Sequence, residues 1–290
     1  MPLAVITDST CDLTEARLNE LKVRRVPLYV HFKGEVHKDW VEITPDALIR
    51  GIQEGAELPT TSQPTPEDFA SAYRDAVADG ADRILVVTIS AELSGTYQSA
   101  TLAAKDAPVP VDVFDSRNAS LGAAYMVARA AAMRDAGADP ADVLAALERL
   151  RDRAYLIFTV GTLEFLQKGG RIGRASAMLG GLLNIKPLLT LENGAVAPAG
   201  KARGAKKAIR EIVARVKTYR EKHPDGELVL YFLHIQAEEA AARLGDAIRA
   251  EGIEFRDGGS HPLGAVIGVH VGPGVHGLYA FADPDPDLGG

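Results

Sequence analysis

Cysteine is nearly absent from this chain: Cys11 is the only one among 290 residues. That excludes an internal disulfide and a cysteine-rich metal site. No apolar run reaches about 18 residues, so no segment reads as a membrane span. The opening Met1-Pro2-Leu3-Ala4-Val5-Ile6-Thr7-Asp8 has no basic stretch ahead of its apolar residues. It reads as a first strand and not as a signal peptide. A Walker A loop, a full dinucleotide fingerprint and a His-Glu-x-x-His pattern are all missing. The net charge of −7 argues against general nucleic-acid binding. Together these absences predict a cytoplasmic protein that binds no nucleic acid and uses no metal or cofactor.

What is present is the mix of a globular protein: 47% hydrophobic and 24% charged residues. The length suggests one large domain or two ordinary ones. Charge is unevenly placed. From Lys201 to Lys222 there are nine Lys/Arg against two Glu, a local +7, so the rest of the chain carries −14. A solvated helix face and a docking surface for an acidic partner or a membrane fit this cluster equally well.

In the first half, short β-rich runs at 3–7, 26–30, 84–89, 111–114 and 155–160 alternate with helical patterns. That predicts a mainly parallel sheet with helices on both faces. Thr44-Pro45, Thr65-Pro66 and Asp139-Pro140 each put a capping side chain before a proline suited to the first helical position. The second half predicts an α+β unit. Glu192-Asn193-Gly194 marks a hairpin, 206–222 and 237–250 read as helices, and 228–235, 265–271 and 277–282 read as strands. The expected domains are 1–160 and 161–282, with a frayed tail at 283–290.

Three polar loops are candidate sites. Pro59-Thr60-Thr61-Ser62-Gln63-Pro64 holds three hydroxyls ahead of a helix, and Ser90 to Ser99 follows a strand and opens another helix. Both match the place where open α/β sheets bind ligands, and hydroxyls with free N–H groups there suit an anion. Gly95 would let backbone approach such a ligand closely. The third, Gly268-Val269-His270-Val271-Gly272-Pro273-Gly274, puts a histidine at an expected strand end. Spacing alone leaves each open to a plain role as cap or structural residue. Asp8 and Asp115 each end a strand, where they would suit a metal or a base, and Asx turns explain them more simply. Gly169-Gly170-Arg171-Ile172-Gly173 looks like a phosphate loop but follows a helical pattern, so it is discounted. Around it crowd Leu163, Phe165, Leu166, Ile172, Met178, Leu179, Leu182, Leu183, Ile185, Leu188 and Leu189, as ordinary core or as the lining of an apolar slot.

Several of these stretches together resemble the DegV family. They are Val5 to Leu13, Pro59 to Pro66, Leu93 to Ala100, Leu166 to Ile172, Leu183-Asn184-Ile185-Lys186-Pro187 and His270 to Gly274, spread over nearly the whole chain. The resemblance implies a two-domain α/β fold with a fatty acid buried between the domains. It implies a carrier and not an enzyme, whose bound acyl carboxylate is phosphorylated by a separate fatty acid kinase. Carried over by motif, Thr61, Ser62 and Ser94 bind the carboxylate with Gly95 and Thr96 supporting. His270, Gly272 and Arg203 neighbour the head group. Many relatives have Thr where this chain has Gly204, which departs from the pattern beside Arg203. A C16 or C18 chain would bring roughly 15 methylenes, worth roughly 12 kcal/mol before ordering costs. A transient membrane contact is a further expected partner. The alternative reading is a dihydroxyacetone-kinase-like enzyme acting on a small carbonyl or phosphate compound through His270. It lacks a nucleotide motif and leaves the apolar slot unused.

Overall fold

The computed structural model describes residues 2–180 and 185–283. Leu182, Leu183 and Asn184 of the stretches above, and the tail from 284 onward, lie outside the described residues. Two compact units result.

The first unit comprises residues 2–152 and 264–266. Its elements are β1 (Leu3–Asp8), α1 (Glu15–Glu20), β2 (Val23–Val26), β3 (Tyr29–Phe32), β4 (Glu35–Lys38), α2 (Pro45–Gln53), β5 (Thr60–Ser62), α3 (Pro66–Ala78), β6 (Arg83–Thr88), α4 (Thr96–Ala104), β7 (Val111–Asp115), α5 (Leu121–Asp135) and α6 (Pro140–Arg153). β2, β1, β6 and β7 form a parallel sheet in that order. Ile6, Ile84 and Val86 pack there on Phe69 and Tyr73 of α3 and Ala100 of α4. The run expected at 26–30 is broken instead at Pro27, which has no N–H for a ladder. β3 then pairs antiparallel with β4 and β5 in a small second sheet.

The three proline starts fold for the reason read from sequence. Thr44 accepts from Ala47 N–H, and Asp139 from Ala141 N–H. Thr65 and Asp68 complete a reciprocal capping box.

The second unit contains the other described residues. Its elements are β8 (Tyr155–Thr159), α7 (Glu164–Lys168), β9 (Ile185–Glu192), β10 (Ala195–Arg203), α8 (Ala205–Lys222), β11 (Glu227–His234), α9 (Glu238–Ala250), β12 (Arg256–Pro262), α10 (Ala265–Val271), whose first two residues fall in the first unit, and β13 (His276–Asp283). β10-β9-β8-β13-β11-β12 make a six-stranded sheet, antiparallel except for the β11–β12 pair. One face, with Ile157, Leu188, Leu230, Phe232 and Leu278, is covered by α8 and α9 through Ile212, Val216, Leu244 and Ile248. The Asn193-Gly194 hairpin forms as expected, both residues having positive φ.

Two expectations are corrected. The boundary falls at 152/153 and not at 160, because β8 pairs with β9 and β13 and so belongs to the second sheet. Residues 265–271 form a helix, α10, and not a strand. Its first N–H groups are taken by a buried carboxylate: Val266 N–H donates to Asp39 Oδ1 at 3.3 Å. Beside it Trp40 Nε1 donates to Asp12 Oδ1 at 3.2 Å. A Cβ on Gly264 would lie 2.4 Å from that Asp12 oxygen, so only glycine fits at the entry to α10.

Candidate functional site

The hydroxyl loops are built on strand ends of the first unit. Asp8 Oδ2 at the end of β1 accepts from Ile89 N–H at 2.7 Å, and Asp115 Oδ1 at the end of β7 accepts from Ala91 N–H at 3.2 Å. These two carboxylates fix the start of the loop after β6 across the sheet, and the Asx turns read for them are separate bonds: Thr10 N–H donates to Asp8 Oδ1 and Arg117 N–H to Asp115 Oδ1, both at 2.9 Å.

That loop turns into α4. Ser94 Oγ lies 2.8 Å from Thr96 Oγ1, and Thr96 is fully buried. Gly95, the N-cap, has no side chain to cap α4, and Thr96 N–H reaches Ser94 Oγ at 3.4 Å; the positive end of the helix favours a negative group. Gln63, directly after β5, reaches across. Its Nε2 donates to Ser99 Oγ at 3.2 Å, and a Cβ on Gly95 would lie 2.1 Å from its Oε1. The loop after β5 and the loop after β6 are therefore joined by Gln63 against Gly95.

Thr61 and Ser62 are adjacent in β5, and adjacent strand residues face opposite ways. Thr61 stands opposite the buried Val30. Ser62 is exposed and its Oγ lies 2.9 Å from His31 Nε2. The expectation of two hydroxyls turned to one carboxylate thus meets the strand's alternation, and Thr61 is the inward one.

His270, Gly272 and Arg203 belong to the second unit. His270 ends α10, next to Gly169, where a Cβ would lie 2.3 Å from His270 Nδ1. Burial, reinforced by the charge of Arg171, pulls the imidazole down to about 4, so it is neutral at neutral pH. Gly272 has φ +71, and a Cβ there would strike the Phe165 ring at 2.4 Å. Arg203 closes β10 in register with Ile185 and is exposed. The following Gly204 has φ 76 and ψ 164, a conformation a threonine avoids. The departure in sequence therefore has a local backbone consequence.

Sequence reading passed over three neighbours of these groups. Gln63 was read only as part of the Pro59–Pro64 loop, and His31 carries no motif. Arg171 sits in the discounted Gly169-Gly170-Arg171 stretch, where Gly169 leaves room for His270 and Gly170 takes a positive φ with nothing near its missing Cβ. Among the described residues no three His, Cys, Asp or Glu side chains gather to hold a metal ion, and no helix is long and apolar enough to cross a membrane.

The DegV family model matches residues 2–283. A DegV domain-containing protein of Deinococcus radiodurans is 44% identical over 280 residues, covering 96% of this chain and 98% of that one. A fatty acid-binding protein of Thermotoga maritima is 36% identical over 286 residues, with 96% and 97% covered. The solved structure of a DegV family protein from Thermus thermophilus, described for its fatty acid binding, superposes with a TM-score of 0.93. It is 47% identical, covering 98% of this chain and 100% of that chain.

Proposed function

This chain belongs to the DegV family, and on that premise we propose that it holds a long-chain fatty acid by its carboxylate and presents that group to a separate fatty acid kinase. The observation that carries the reading is the pair of hydroxyl loops joined by Gln63 at the N-terminus of α4. The relatives described as fatty acid-binding supply the ligand class. Thr61 and Ser94 donate to the carboxylate, and α4 contributes N–H groups and its positive end. Thr96 orients Ser94, Gly95 keeps the approach open, and Ser62 is held through His31.

No lysine or arginine is among these groups. Hydroxyl donors offset desolvation of the carboxylate without burying it against a fixed cation, which leaves its oxygens nucleophilic towards a phosphoryl donor. Carried over from the family resemblance, His270, neutral at working pH, is the hydrogen-bond donor to the head group or to the arriving phosphoryl group. The carrier itself breaks no bond.

Native mass spectrometry of the purified chain tests the proposal. The expected result is a retained mass that solvent extraction releases as an acyl chain, such as C16 or C18, of roughly 15 methylenes. Protein that stays unliganded after incubation with such acids overturns it. A small carbonyl compound in place of the lipid would favour the kinase-like alternative.

A further inference from the structure

The second unit carries a polar row that the fatty-acid reading does not use. Thr159 on β8 stands opposite His276 on β13, and His276 opposite His234 on β11. Two residues earlier along β8 and β11, and two later along β13, Ile157, Phe232 and Leu278 belong to the core under α8 and α9. Side chains two apart share a face, so Thr159, His276 and His234 line up on that same face at its end. Lys186 on β9, two residues before Leu188 of the same core, joins from one side. Arg243 stands on α9, the helix packed over β11 and β13, and its charge acts on His276.

We propose that this row is a binding site for a small tetrahedral oxyanion of the phosphate class. Three observations carry it. Thr159 is 1% exposed, yet its Oγ1 has no hydrogen-bond partner among the described residues, and a buried hydroxyl of that kind costs free energy until something accepts from it. His276 Nδ1 lies 3.1 Å from Gly274 O. A carbonyl only accepts, so Nδ1 carries the hydrogen and Nε2 faces away from that bond. The charged neighbours acting on His276 are all basic: Lys186, Arg243 and His234. The first turn of α9 carries Glu238 and Glu239, and Glu239 is paired with Arg243. Lys186 and Arg243 disfavour a metal cation at the two imidazoles and favour an anion there.

An anion also removes the obstacle to charging His276, whose protonation is held down by burial and by these same cations. Uptake of one proton at Nε2 would turn it into a donor, so binding and protonation are linked.

Titration of the full chain with inorganic phosphate, and separately with a soluble alkyl phosphate monoester, tests the site by calorimetry and histidine NMR. The expected result is saturable binding that shifts the His276 and His234 resonances and tightens by up to about tenfold per unit fall in pH. Thr159→Val and the exposed-site Arg243→Gln should each weaken it about tenfold, and His276→Gln should flatten its pH dependence. Tighter binding of either probe supports the site and identifies the source of the phosphate group. Unmoved histidine resonances, or affinity unchanged in both Arg243→Gln and His276→Gln, overturn it. So does a zinc ion that binds the two imidazoles more tightly than phosphate does.

Discussion

Ser94 and Thr61 are the residues on which the carboxylate reading rests. A hydrogen bond to a charged group contributes about 1.5–3 kcal/mol, so Ser94→Ala should lower fatty-acid affinity about 10- to 150-fold without unfolding the chain. Thr61→Ala should act similarly and, with Ser94→Ala, less than additively, since both donate to one group. Lipid retention equal to wild type in the double variant would remove the site. His270 belongs to a different step. With its imidazole at about 4 and neutral above that, His270→Ala should keep its lipid and lose acyl phosphate formation with a cognate kinase and ATP. Parallel loss of both would deny that separation. These hydroxyls and this histidine were legible because each lies in a motif. Gln63 lies in the same motif as Thr61, but its role was not legible, because it comes from a contact with Gly95 and Ser99, 32 and 36 positions further on.

At the scale of elements, α8 shows which signals survive in sequence. Its apolar spacing predicted the stripe that is observed: Ile212, Val213 and Val216 are buried, and Ile209 is packed on the same core. Lys206, Lys207, Arg210 and Lys217 are exposed. Reversing Lys206, Lys207 and Lys217 to Glu should slow kinase-dependent turnover or vesicle exchange, with bound lipid and melting temperature nearly unchanged. The effect should fade as salt rises. Wild-type rates in low salt would leave the cluster as a solvated face. α10 shows the opposite case. Ala265-Val266-Ile267-Gly268-Val269-His270-Val271 is rich in β-branched residues and reads as a strand. Its helix is set by Asp39, 227 positions before Val266, a distance over which no local pattern carries information. β12 was missed for a related reason: Gly258, Gly259 and Pro262 weaken any strand signal, and it forms as an edge beside β11.

For the whole molecule, the buried acids set a dependence of stability on pH. Burial pushes Asp12 up to about 8 and Asp39 up to about 6, from an ordinary value of 3.8. Between those limits the folded chain holds protons that the unfolded chain has released, so stability falls as pH rises from about 4 to about 8. Asp12→Asn, which keeps the neutral shape, should flatten the Asp12 part of that slope in urea melts across the range. An unchanged slope would mean that Asp12 is ionised in the fold. The parallel sheet, the hairpin and the helix starts of this molecule follow from local chemistry, whereas these carboxylates look like surface residues in sequence: in the fold Asp39 receives Val266 N–H, and Asp12 lies against Trp40 and Gly264. That contact has an optical consequence. Trp40 is the only tryptophan in the chain, and its indole N–H donates to Asp12 beside Gly264. Its emission therefore reports on the entry to α10 with no label attached, and a change in colour or quenching would register whether that segment is seated.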